Sequence, residues 1–249
     1  MTQYSDYFGP EGLLVRGTVL VVPGRGETRA TYARFGRRLA ADAYRVRVID
    51  APDLDTEDLT ALAARITTAA EDTTADDGVV RPLVLVGADS GAAAVAALLG
   101  HESDARPDAV VLAGLPGRAP AATAGTWDEE LDVRTSCPAH RGLLTQDAEV
   151  RRGSLDDAVP EAVLAAAYGS EAAVPALLLV GDSDPLADHE ALAHTAKSLA
   201  RARLSVVHGA HHDVLNDLQH RSVAAEVVTF LETLRNELRP LITVRSSAW

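Results

Sequence analysis

The sequence predicts an α/β fold built on a doubly wound, mostly parallel sheet. Three observations carry that expectation. Six short runs of branched aliphatic residues recur along the 249-residue chain, each too short for a helix. The stretches between most of them place apolar residues at helical spacing. The runs are continuously apolar rather than alternating, as expected of parallel strands buried on both faces.

Taken in order, the first run is Thr18-Val19-Leu20-Val21-Val22, stopped by Pro23-Gly24, and residues 31–43 then read as a helix. The second run, 46–49, is followed by a helix over 58–70, and a polar stretch at 71–78 reads as a surface loop. The third run, 83–86, leads through a glycine-flanked turn into an alanine-rich helix over 90–99. A fourth run covers 109–112, and a fifth at 176–180 feeds a helix over 188–200 with Leu192 and Leu199 facing inward. The sixth run, 204–207, precedes a last helix over 222–238, where Val223, Val227, Phe230, Leu231 and Leu234 share one face. Alternation of this kind implies right-handed crossovers.

Residues 114–174 break the rhythm with Pro, Gly and charge, and no strand is evident there. A structureless loop of that length is unusual inside a domain, so a partly helical cap insertion is expected, with a helix at 160–168. The organisation expected is therefore one domain, with a core formed by 1–113 and 175–249 and a cap formed by 114–174.

With 36 acidic against 23 basic side chains the net charge is −13, which argues against nucleic acid or an anionic membrane surface as partner. One cysteine, Cys137, can form neither an intrachain disulfide nor a multi-thiolate zinc site. The first residues show no basic and then apolar leader pattern, and no long uncharged apolar run occurs, so a cytoplasmic location is expected. Nothing in the composition fixes the oligomeric state.

In an open parallel sheet, ligands bind beyond the carboxyl ends of the strands, and three of those ends carry candidate chemistry. The third run ends in Gly87-Ala88-Asp89-Ser90-Gly91-Ala92, small residues flanking a central side chain, as a sharp strand-to-helix turn requires. The fifth ends in Gly181-Asp182-Ser183-Asp184-Pro185, and the sixth in His208-Gly209-Ala210-His211-His212-Asp213. The chain order is elbow, acid, histidine.

On these residues the chain resembles the α/β-hydrolase superfamily. Pro23-Gly24-Arg25-Gly26-Glu27 is similar to the His-Gly-x-Gly-Glu oxyanion loop of its lysophospholipase and monoglyceride-lipase-like members, with proline for histidine. Gly181 and Asp184 match the family's acid turn, and Gly209, Ala210 and His212 match its histidine loop. The resemblance spans about 17–234, with too few residues ahead of the first core strand for both of the family's leading antiparallel strands. It implies an α/β-hydrolase-type sheet, a small-molecule substrate, and neither metal nor organic cofactor. It also implies an oxyanion hole formed by the backbone N–H groups of Arg25 and Ser90.

Asp89 stands where most of the family has serine, as in its epoxide hydrolase and haloalkane dehalogenase branch. A carboxylate is ionised at neutral pH and attacks carbon directly, forming an alkyl ester that a histidine-activated water hydrolyses. His212 and Asp184 take the base and orienting roles in that scheme. Scarce aromatics leave Trp127 and Tyr168 as the cap's candidate substrate contacts, Tyr168 also as an acid for epoxide opening. Other readings stand beside this one. Asp89 reads also as a helix cap or as a base for water, Ser90 as the nucleophile of an ester or thioester hydrolase, and Asp182 as the acid. The scaffold could also be a silent ligand binder. His208, His211 and His212 have poor spacing for a metal, Cys137 and His140 read as cap structure, and Arg141, Arg151 and Arg152 as solvated or ion-paired.

Overall fold

A computed structural model describes residues 4–71, 79–100, 106–118, 125–171 and 173–247. The expected loop at 71–78 lies, from residue 72 onward, outside them. Seven strands form one sheet: β1 (Ser5–Tyr7), β2 (Thr18–Val22), β3 (Arg45–Val48), β4 (Leu83–Ala88), β5 (Ala109–Ala113), β6 (Ala176–Gly181) and β7 (Ala202–Val207). Their order is β1-β3-β2-β4-β5-β6-β7, with β1 antiparallel to β3 and every other pair parallel. The six expected runs are β2 to β7. The short β1 went unread because Ser5-Asp6-Tyr7 has no aliphatic content. It is pinned instead by Arg47, whose Nε and Nη2 reach Asp6 at 2.6 and 2.8 Å.

Alternate residues of each central strand feed two separate apolar layers, the physical content of double winding. Leu20, Val22, Leu85, Val110 and Leu178 pack with α2 (Leu59–Glu71), α3 (Ser90–Leu98), α6 (Glu161–Tyr168) and α7 (His189–Ser198). Val19, Val21, Val84, Val86 and Leu177 pack with α1 (Ala33–Ala41) and α8 (His220–Arg235). Every residue of α3 is buried, and its run of alanines lets a helix lie in the centre of the fold against β4, β5 and α6. The last helix stops at Arg235, short of the expected 238, because Glu237 and Leu238 adopt positive φ.

Between β5 and β6 lie α4 (Trp127–Arg134), α5 (Pro138–Gln146), a 3-10 turn at Ser154–Asp156, and α6. A helix was expected here at 160–168 alone. The signals for the other two were present: Thr126 and Glu129 form a reciprocal capping box, with Thr126 N–H to Glu129 Oε2 at 2.9 Å, and Pro138 opens α5. Their apolar faces are too small to stand out, burying little beyond Leu131, Leu144 and Val150. Among the described residues no helix is long and apolar enough to cross a membrane.

Candidate active site

The turn from β4 into α3 holds Asp89 at φ 48°, ψ −121°, a conformation strained for a residue with a Cβ. Its N–H donates to the Ala113 carbonyl at 3.0 Å, and its own carbonyl accepts from Ala92 and Ala93. A methyl at Gly91 would sit 2.4 Å from the carbonyl oxygens of Val22 and Pro23, so helix and strand meet this closely only with glycine there. The Asp89 side chain does not cap α3. The carboxylate instead turns toward the loops after β2 and β7, which sets aside the helix-cap reading.

His212 lies between two acids. Its Nε2 is 3.0 Å from Asp89 Oδ1 and its Nδ1 is 2.9 Å from Asp184 Oδ2. A neutral imidazole has a single N–H, so two carboxylate contacts at hydrogen-bond distance are both satisfied by the imidazolium. Burial opposes that charge, but the charge and hydrogen bond of Asp184, followed by those of Asp89, push the His212 pKa up to about 10. Asp184 is held by the Leu186 N–H on Oδ1 at 2.9 Å. Asp182 is exposed and accepts from Gly209 N–H at 2.7 Å and lies 2.9 Å from His208 Nδ1, so it shapes the turn and does not reach His212. His211 contacts Asp217, so the three neighbouring histidines are each engaged by acids of their own, four in all, and do not converge on one point.

Arg25 closes the other side of Asp89. Its Nη2 reaches Oδ1 at 2.7 Å and its Nε reaches Oδ2 at 2.9 Å, while its backbone N–H donates to Oδ2 at 2.8 Å. Nη1 donates to the carbonyls of Leu155 and Asp157, at 3.0 and 2.6 Å, tying the 114–174 segment to the sheet. Burial acts to raise the Asp89 pKa, but the Arg25 charge and the bonds from His212 and Arg25 outweigh it and hold the carboxyl well below its usual range. From sequence only the Arg25 backbone was assigned a role. Its guanidinium was missed because an arginine in a glycine-rich loop carries no pattern of its own.

Behind this quartet lies a buried polar network that the sequence reading also missed. Glu27 accepts from Gly24 N–H at 2.8 Å and from the Tyr32 hydroxyl. Arg134, 1% exposed, meets Glu130 at 2.9 Å, Asp213 at 3.5 Å, the Arg25 carbonyl at 2.9 Å and Ser154 at 3.0 Å. His140 Nε2 is 2.9 Å from Asp213, so it does not pair with Cys137. Glu27, His140 and Asp213 bring possible metal ligands within 4.8 Å of one another. Arg134 already supplies a cation to that cluster, which disfavours a second one. Burial and the Asp213 charge push the Glu27 pKa up to about 7.

Two cavities flank the site. The larger, about 480 Å³, is bordered by Arg25, Ser90, Asp53, Arg151, Val159 and Pro160 among others. The smaller, about 10 Å³, is bordered by Glu27, Asp89, His212, Asp213 and Asn216 among others. Trp127 and Tyr168 are not among the residues lining either one. The Trp127 indole N–H meets Thr145 Oγ1 at 3.2 Å, and the Tyr168 hydroxyl donates to the Pro116 carbonyl at 3.1 Å beside a separate cavity of about 590 Å³. Ser90 is buried in the first turn of α3 and borders the larger cavity, one residue beyond the side chain that meets His212. Of the segment's arginines, Arg151 reaches the larger cavity, paired to Asp157, while Arg141 pairs with Asp132 and Arg152 binds the Thr145 carbonyl.

Comparison with known proteins agrees with this architecture. The family model described as serine aminopeptidase, S33, matches residues 14–219. No curated protein sequence gives a significant match. Among solved structures, the monoacylglycerol lipase of Paleococcus ferrophilus superposes with a TM-score of 0.72 at 18% identity, covering 93% of this chain and 98% of that one. A soluble variant of monoglyceride lipase from Saccharomyces cerevisiae gives 0.72 at 16% identity, covering 92% and 91%. The enol-lactonase of Burkholderia xenovorans LB400 gives 0.67 at 18%, covering 93% and 96%. At such identities these likenesses speak to the fold.

Proposed function

Because the chain belongs to the serine aminopeptidase S33 family of α/β-fold hydrolases yet turns an aspartate into the elbow, we propose that it hydrolyses a small electrophile through an Asp89 ester. The observation that carries this reading is the placement of His212 between Asp89 and Asp184 at 3.0 and 2.9 Å.

The geometry supports a balanced cycle on a small epoxide. An Asp89 carboxylate oxygen attacks a ring carbon, the C–O bond breaks, and the imidazolium of His212 gives its proton to the departing alkoxide. The negative charge leaves Asp89 in the same step, so the Arg25 guanidinium is released to stabilise the alkoxide oxygen. His212, now neutral, faces one carboxylate instead of two and accepts a proton from water. Hydroxide adds to Cγ of the ester, and the oxyanion forms on the carboxyl oxygen that already receives the Arg25 N–H at 2.8 Å. Collapse breaks the bond from Cγ to the alkyl-bearing oxygen, the alcohol takes up the carboxyl proton, and carboxylate and imidazolium are restored. No acid beyond His212 is needed, which removes the requirement for a pocket tyrosine.

Saturation of Asp89 by Arg25 supports a second reading, a silent scaffold whose aspartate is an ion-pair anchor. Intact-mass and peptide mass spectrometry after incubation with a panel of terminal epoxides decides between them. An adduct on Asp89 is expected in quenched wild type; in His212→Gln it forms more slowly, the alkoxide then taking its proton from water, and persists because no base activates the hydrolytic water. Its absence from wild type and His212→Gln alike, with Asp89→Ala indistinguishable from wild type in turnover, establishes the silent scaffold.

A further inference from the structure

Hydrolysis of an Asp89 ester needs a water on Cγ, within reach of His212, in a site where Arg25, which borders the larger cavity, covers that side of the carboxylate. The small cavity lies at the same two residues, bordered by Asp89 and His212 together with Glu27, Asp213 and Asn216. Its volume of about 10 Å³ admits one water molecule. Asn216 is 2% exposed, and its side-chain oxygen is buried without a hydrogen-bond partner among the described residues. A buried acceptor left unpaired forfeits the hydrogen bonds it makes in water, and a water donating to it would restore one. The same buried group would then hold one of the two protons of that water.

We propose that this chamber is the binding site of the hydrolytic water, and that Asn216 and Glu27 are its positioning residues. The inference rests on the Asp89 ester reading. One water proton goes to His212 Nε2, the other stays on Asn216 Oδ1, and the oxygen lone pair addresses Cγ of Asp89. Glu27 borders the chamber and is fixed by Gly24 and Tyr32, so its carboxyl limits where the water can move. It borders the larger cavity too, which places it on the route by which bulk water refills the chamber after each turnover.

The test separates formation of the ester from its decay. Wild type, Asn216→Leu, Asn216→Asp and Glu27→Gln are mixed with 1,2-epoxybutane, quenched over time, and the Asp89 peptide is weighed. In Asn216→Leu, which fills the chamber and removes the acceptor, the ester is expected to form within about threefold of the wild-type rate and to decay about 100-fold more slowly. Asn216→Asp, which keeps an acceptor oxygen, is expected to restore most of the decay rate, and Glu27→Gln to slow decay with little effect on formation. Ester that forms in Asn216→Leu and decays as in wild type overturns the water site alone. No ester in any of the proteins, nor in His212→Gln, overturns the Asp89 reading beneath it. A crystal structure reads the chamber independently of the chemistry: ordered density within hydrogen-bond distance of Asn216 Oδ1 is expected in wild type and lost in Asn216→Leu, and a wild-type chamber without it refutes the proposal.

Discussion

Replacing Asp89 with asparagine keeps its shape and removes its charge, as ester formation does, so Asp89→Asn asks whether alkylation turns His212 from an acid into a base. In the native site the His212 pKa stands at about 10, with Asp89 Oδ1 3.0 Å from Nε2. Opposite charges about 4 Å apart attract by about 4 kcal/mol at an effective dielectric constant near 20. Arg25, bonded to the same carboxylate, offsets part of that, which leaves an expected fall of about 1–3 pH units, or about 1.4–4 kcal/mol. His212 should then titrate between about 7 and about 9, and its neutral fraction at pH 7 should rise about 10- to 500-fold. A titration of histidine ring signals by NMR measures this, with His212 assigned among the eight histidines by comparison with His212→Gln. Stability falls as well, by about 3–5 kcal/mol, because Arg25 loses its buried partner. If His212 titrates in Asp89→Asn within about half a unit of its wild-type midpoint, Asp89 does not hold the imidazolium and the proton cycle is refuted.

Three further outcomes follow from the same packing and charges. Glu27 titrates at about 7 folded against 4.5 unfolded. A raised carboxyl means that the folded state binds more protons, so its contribution declines as pH rises from 4.5 through 7, by about 3 kcal/mol in all. In urea unfolding, Glu27→Gln should therefore gain on wild type progressively above pH 4.5, and a difference that stays constant with pH contradicts the assignment. Gly91→Ala puts a methyl 2.4 Å from two backbone carbonyl oxygens and should cost at least about 2 kcal/mol by denaturant unfolding, whereas a loss below about 0.5 shows that the elbow is not tight. Asp89→Ser should yield no ester hydrolase by itself, since Arg25 then stands unpaired over the serine. If Asp89→Ser alone turns over p-nitrophenyl acetate faster than Asp89→Ser combined with Arg25→Ala, Arg25 does not obstruct the elbow.

The sheet was readable because Val19, Val21, Val84 and Val86 alternate in space but not in chemistry with Leu20, Val22 and Leu85, so two-sided burial leaves an unbroken apolar run. The convergence of Asp89, Asp184 and His212 was readable because they follow such runs by three, four and five residues, each in a turn at a strand's carboxyl end. What stayed hidden has no local pattern. Arg134 is buried by partners far along the chain, Asp213 and Ser154 among them, and no helical spacing predicts that. Trp127 and Tyr168 were singled out because aromatics were scarce, yet their polar atoms are engaged by Thr145 and Pro116. Scarcity pointed to residue types, while the site was built from charge.

Charge is also what makes the elbow aspartate and the loop arginine one feature rather than two. Asp89 and Asp184 bring two negative charges into a region where both are at most 4% exposed. An imidazolium alone would leave one of them unbalanced, at a cost of several kcal/mol in a buried setting. Arg25 removes that excess, and its five N–H donors allow it to hold Asp89, Leu155 and Asp157 at once. An uncharged serine at the elbow needs no such partner. Arg25 in the loop after β2 is therefore the physical counterpart of an aspartate at the turn after β4. On the Asp89 ester reading, the same neutral quartet calls for a substrate that carries the charge away, as an opening ring does, or that replaces Arg25 in kind.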